Sequence, residues 1–121
     1  MKIDIPSYED RKEAGTQIVI HSWDTWNMDN TLALIIHPML IQLRNTTHGY
    51  PGHLTEERWN EILDEMIWAF EQKNIDWEDQ YYGPLVDGEF KWHDAEGQKA
   101  HQERMTKAFK LFGEYYENLW D

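Results

Sequence analysis

The sequence contains no cysteine. Disulfides, thiolate metal sites and cysteine nucleophiles are therefore excluded. Positive charge is also scarce, with 11 Lys and Arg against 23 Asp and Glu in 121 residues, a formal charge of -12. Phosphate backbones are gripped by clustered Lys and Arg, so direct nucleic-acid binding is not expected. No apolar run approaches the roughly 18 residues of a membrane span. The opening MKIDIPSYEDRKEAG also has no signal-peptide apolar region. A cytosolic protein without membrane attachment is the expectation. GxSxG, GxGxxG, P-loop and HExxH motifs are missing as well, which removes the commonest hydrolase, nucleotide and zinc signatures.

What the chain does have is rings: 7 Trp, 6 Tyr and 4 Phe. A mean hydropathy of -0.81 would suit a disordered chain. Aromatic side chains each bury roughly 150–250 Å², and 14 % of the residues are of this type, so a folded domain is expected. The length fits one domain.

Periodicity predicts a mainly α (α+β) fold with three principal helices, a short N-terminal strand and a small β-hairpin. Residues 1–15 are polar and interrupted by Pro6, which reads as a loosely ordered arm, with residues 16–121 forming a single compact domain. TQIVIH (Thr16 to His21) is the strand candidate. A first helix is expected from Asp29 or Asn30 to about Arg44. It is apolar nearly all round, which places it in the middle of a core, and Pro38 inside it predicts a kink or two short helices. Thr55 caps a second helix, whose stripe of Trp59, Ile62, Leu63, Met66, Ile67 and Phe70 follows helical spacing. Asp87-Gly88, between Tyr81 to Val86 and Glu89 to Trp92, is the hairpin signal. The third helix runs from about Ala95 or Gln98 to Leu119. Gly113 inside it suggests a close neighbour there. The second and third helices are expected to lie against a core built from the first.

Two pairs of carboxylates sit three apart on helices, Glu61 with Asp64 and Glu114 with Glu117. Facing pairs of this kind bind Mg²⁺ in all-α nucleotide pyrophosphohydrolases, although there the two motifs come in the opposite order. This composition yields about two or three such pairs by chance, so a Mg-dependent nucleotide hydrolase is a minor alternative. The six histidines (His21, His37, His48, His53, His93 and His101) form no i, i+4 pair, and no metal or other cofactor is expected. His37, His101 and Arg104 stand out because they occupy positions where apolar residues are expected. They need buried partners such as Asp24, Asp29 or a helix carboxylate, or they line a pocket. Trp23, Trp26, Trp68, Trp77 and Trp92 lie near turns or off the apolar stripes, where rings stack a base or anchor an interface.

DTWNMDNTLALIIHPMLIQL (Asp24 to Leu43), HGYPG, RWNEILDEMIWAFE (Arg58 to Glu71), DWEDQYY (Asp76 to Tyr82) and AHQERMTKAFKLFGEYYENLWD (Ala100 to Asp121) together resemble a widespread family of small tailed-bacteriophage proteins. Between Gly52 and Trp59 this chain is shorter than many relatives, which carry an acidic, proline-containing insertion. The resemblance implies a phage origin and work in the host cytoplasm, and it supplies no catalytic residues.

The expectation is a non-enzymatic phage accessory protein for host takeover or counter-defence. It would sequester a small nucleotide-like immune signal, with Trp23, Trp26, His37, Arg44, His101 and Arg104 as the ligand-binding residues. Rings would stack the base, and the few basic groups would meet phosphate. One alternative is an acidic inhibitor that mimics nucleic acid. Its face of Glu57, Glu61, Asp64, Glu65 and Glu71 would dock on a basic host protein. Another is a virion or assembly component. Broad apolar faces on the helices of so short a chain also predict a homo-oligomer.

Overall fold

The structure, a computed structural model, describes residues 1–46, 49–82, 88–89 and 93–121. Among them the fold is mainly helical. Five α-helices, α1 (Arg11–Ala14), α2 (Ser22–Trp26), α3 (Met28–Thr46), α4 (Glu56–Lys73) and α5 (Ala95–Glu114), accompany two strands, β1 (Lys2–Asp4) and β2 (Gln17–Val19). Two 3-10 turns, Trp77–Tyr81 and Tyr116–Asn118, complete the elements. None of the helices is long and apolar enough to cross a membrane. The chain divides into two compact units, Met1–Leu32 and Ala33–Asp121.

In the first unit β1 and β2 form an antiparallel ribbon in the register Lys2 with Val19, Ile3 with Ile18 and Asp4 with Gln17. The strand expected at 16–21 thus forms over three residues, and its partner comes from the segment expected to be a loose arm. Every residue of the ribbon is exposed. The capping-type residues after His21 make a short helix of their own, α2. There the backbone N–H of His21 donates to the Asp24 carboxylate at 2.8 Å and holds that carboxyl below its ordinary range.

The second unit is organised by α4. Thr55 caps it, its Oγ1 accepting from the Arg58 N–H at 3.1 Å, as the sequence predicts. Trp59, Ile62, Leu63, Met66, Ala69 and Phe70 on this helix are all buried. From α3 only Ala33 and Leu40 are buried, with Ile36 and Leu43 packed beside them. The recurrence 33, 36, 40, 43 is a narrow seam of one helix against another. From α5 come Met105 and Ala108, and Phe109 and Phe112 meet Phe70 edge-on at 5.2 and 5.0 Å. Tyr115 closes the end of the core, edge-on to Trp59 at 5.6 Å.

These packings correct one expectation about the architecture. The central helix of this unit is α4, and α3 lies to its side with Leu34 and Met39 each 66 % exposed. The composition of α3 permits burial on any side, but among the described residues only Ala33 and Leu40 of this helix are buried. Two smaller expectations also change. Of the kink or two short helices expected at Pro38, the structure excludes two helices: α3 runs through the proline as one helix from Met28 to Thr46. Gly113 is exposed, and a Cβ added there would meet nothing within 4 Å, so no close neighbour explains it. The hairpin expected around Asp87-Gly88 falls largely outside the described residues. Gly88 has the left-handed φ of +75° that favours glycine.

Because α4 carries most of the buried side chains, truncation there should be costly. Leu63→Ala is expected to lower stability by about 2–5 kcal/mol in urea unfolding. Ile75→Ser, at a half-exposed position, should change it by no more than about 0.5 kcal/mol.

Candidate functional site

Polar and aromatic groups converge around His101 in the second unit. α4 contributes Glu65, Trp68 and Gln72, three and seven residues apart and so on one helix face. α5 contributes His101 and Arg104, one turn apart. The 3-10 turn between them contributes Trp77 and Tyr81. The His101 ring stacks on Trp77 at 4.4 Å between centroids and 20° between planes, and lies 5.0 Å from Trp68. Its Nδ1 is 2.8 Å from the Tyr81 hydroxyl, and its Nε2 is 2.9 Å from Gln72 Oε1.

This hydrogen bonding suits a neutral ring in which Tyr81 donates to Nδ1 and Nε2–H donates to Gln72. Burial lowers the His101 pKa from the ordinary 6.5, and the nearby positive charge of Arg104 lowers it further. Both ring nitrogens are occupied, so the imidazole acts as a fixed, uncharged spacer between the rings. Gln72, 6 % exposed, is a buried polar residue and is satisfied by this bond.

Arg104 sits at the rim. Its guanidinium carbon lies 3.7 Å from the centroid of Trp68, a cation–π contact. Its Nε and Nη2 donate to the two oxygens of Glu65 at 3.2 and 2.8 Å, and this bidentate pairing raises the Arg104 pKa. On the other side of α4 the neighbouring carboxylate reaches α3, where Arg44 Nε donates to Asp64 Oδ1 at 2.9 Å. Consecutive helix positions point about 100° apart, so Asp64 and Glu65 each reach a different flanking helix.

Gly97 fits tightly at the start of α5. Asp94 caps the helix by accepting from the Gly97 N–H at 2.9 Å. A Cβ at position 97 would collide with the Asp94 carboxylate and lie 2.9 Å from the Tyr81 ring. Only glycine leaves room for both.

The six residues singled out by sequence are distributed over both units. Trp23 and Trp26, in the first, stack on each other at 4.5 Å and 17° while 68 % and 73 % exposed. His101 and Arg104, in the second, are brought together on Trp68. Arg44 holds Asp64. His37 Nε2 is buried and has no hydrogen-bond partner among the described residues. Sequence reading did not assign Gln72 or Tyr81 to a site, and it placed Glu65 only on the acidic docking face of an alternative. The spacing Glu65, Trp68, Gln72 was the available signal, a second stripe beside the apolar one.

One of the two acidic pairs behind the hydrolase reading is occupied by arginines: Glu61 accepts from Arg58 at 3.1 Å and Asp64 from Arg44. Among the described residues no group of three or more His, Asp or Glu is placed to hold a metal ion.

No family model matches the chain, and no solved structure matches it. Among curated proteins it is similar to Mediator of RNA polymerase II transcription subunit 23 of Caenorhabditis briggsae, 29 % identical over 106 residues. That match takes in 78 % of this chain and 6 % of the Mediator subunit.

The depressed His101 pKa has a direct consequence for stability. The unfolded chain takes up this proton first as pH falls, so the contribution is complete above pH 6.5. It declines as the pH drops below that value and is gone beneath the folded-state pKa. Urea unfolding of wild type and His101→Gln should therefore differ most above pH 7, by about 1–3 kcal/mol from the broken hydrogen bonds. The gap should narrow towards pH 5. A gap independent of pH would show that His101 is not held neutral.

Proposed function

We propose that this chain is a binding protein rather than an enzyme, a phage accessory factor that acts in counter-defence in the host cytoplasm. The ligand in this reading is a small nucleotide-like immune signal, held without turnover. The observation that carries it is the Trp23–Trp26 pair, two stacked indoles that keep about 70 % of their surface in water. Exposed indole faces take a flat base by the offset stacking that aromatic rings favour. Arg44, Arg104, His101 and His37 belong to the other compact unit, so this reading draws on the tryptophan pair alone.

The phage part of the reading rests on the resemblance of the sequence segments. The oligomer part is supported by the apolar residues that α3 leaves in water. The acidic-inhibitor alternative gains less, because three of its five carboxylates, Glu61, Asp64 and Glu65, already hold arginines.

Thermal unfolding in the presence of a panel of mono-, di- and cyclic nucleotides tests the small-molecule reading. A ligand at 100 times its Kd should stabilise the protein by about 2.7 kcal/mol, visible as a shift of several degrees in Tm. Trp23→Ala and Trp26→Ala should each remove the shift while changing the unliganded Tm little. If no nucleotide moves the transition, the reading fails.

A further inference from the structure

No residue of the first unit, Met1–Leu32, is buried, and its ribbon has only two strands. A two-stranded ribbon with no covered face is marginal in water, and three or more strands are needed for independent stability. Each strand here also keeps one unpaired edge, a row of backbone N–H and C=O groups that another strand can take up. We infer that the free edge of β1 pairs antiparallel with β1 of a second copy of the chain, joining two ribbons into a four-stranded sheet. This pairing supplies the surface for the oligomer part of the function proposed above, on which it rests, and it needs no ligand.

The sequence of β1 selects a second copy as the occupant. Met1-Lys2-Ile3-Asp4-Ile5 reads apolar, positive, apolar, negative, apolar, and Pro6, which has no N–H to donate, ends the stretch. Turned end for end, this pattern is its own complement. In a two-fold pair centred on Ile3, Lys2 of each copy lies opposite Asp4 of the other, Ile3 opposite Ile3, and Met1 opposite Ile5. Side-chain alternation then puts both ion pairs on one face of the sheet and the apolar pairs on the other. Within the chain Lys2 stands opposite Val19 and Asp4 opposite Gln17, and among the described residues neither has an ion-pair partner. All three residues of β1 are exposed, so both charges are open to a partner.

The same charges fix the register. A pair centred on Lys2 would set Lys2 against Lys2, and one centred on Asp4 would set Asp4 against Asp4. Like charges directly opposite each other are destabilising. A shift by one residue sets Ile3 against a charge and turns the apolar set of one copy to the polar face of the other. An edge lysine ordinarily discourages strand pairing, and the Ile3-centred register is the one that supplies its counter-charge. In that register Ile3 and Ile18 of both copies line one face of the four strands; they are 41 and 52 % exposed in the single ribbon. Each copy carries a formal charge of -12, so a contact between copies has to match its charges, as this one does.

Sedimentation velocity of the full chain, with any tag at its C-terminus, tests this from about 10 µM to about 1 mM, a range suited to a small interface. The expected result is a monomer–dimer equilibrium. Lys2→Asp and Asp4→Lys each set like charges against one another, and each should weaken the dimer by about tenfold or more while the monomer keeps its far-UV circular dichroism. Mixed in equal amounts, the two variants should associate as tightly as wild type, because each then meets its complement. The double variant Lys2→Asp/Asp4→Lys, with the pattern reversed, should dimerise alone. Tyr50→Glu, in the second unit, should leave the dimer as it is.

A wild-type chain that stays monomeric at the highest concentration overturns the inference and the oligomer reading together, and leaves the edge to a strand of some other protein. A dimer that Lys2→Asp and Asp4→Lys leave intact, or that does not return when they are mixed, overturns the inference alone. Nucleotide-induced shifts in Tm are read separately, so the loss of either result does not affect the other.

Discussion

Everything in the second unit depends on withdrawing one stripe of α4 from water. Trp59, Ile62, Leu63 and Met66 on that stripe are all nearly inaccessible, and the neighbouring helices contribute smaller patches to meet them. Helices of this length are marginal in isolation, so α4 persists because its apolar face is covered and its first turn is capped by Thr55. The flanking helices inherit their positions from it. Two adjacent carboxylates, Asp64 and Glu65, then reach in different directions, one to Arg44 of α3 and one to Arg104 of α5. Neither pair adds much stability at the surface, but each discourages its helix from sliding past α4 by a turn.

The cluster around His101 is built on that frame and shows what buried polarity does in so small a chain. A histidine between two tryptophans could be replaced by an apolar residue if space-filling were its whole purpose. Instead it joins Tyr81 of the 3-10 turn, through one ring nitrogen, to Gln72 at the end of α4, through the other. Rings supply the contact area and hydrogen bonds fix the orientation. Few arrangements satisfy both, and that restricts how α4, α5 and the turn can be assembled.

How much of this was legible in the sequence depended on whether the signal was local. Thr55 and the apolar periodicity after it are local, and α4 was readable almost to the residue. Gln17–Val19 was readable as a strand, but its partner Lys2–Asp4 was not, because pairing is a long-range choice and the first fifteen residues carry polar side chains and a proline. α3 misled for a different reason. Leu32, Leu34, Ile35 and Ile36 say that a helix tolerates burial everywhere, and they do not say which side finds a partner. At the site, Trp68 and His101 were visible as residues out of pattern. Gln72 and Tyr81 were not, since an amide and a phenol become informative only when an imidazole is placed between them.

The crowding at Gly97 ties the beginning of α5 to the far side of the ring cluster. The absent side chain at that position leaves space used at once by the carboxylate that starts the helix and by the phenol that steadies His101. The three positions 94, 97 and 81 therefore cannot drift independently. A lineage that replaced this glycine would need to shorten the cap, shrink the ring or shift the turn in the same step, and across relatives the three should be found to change together.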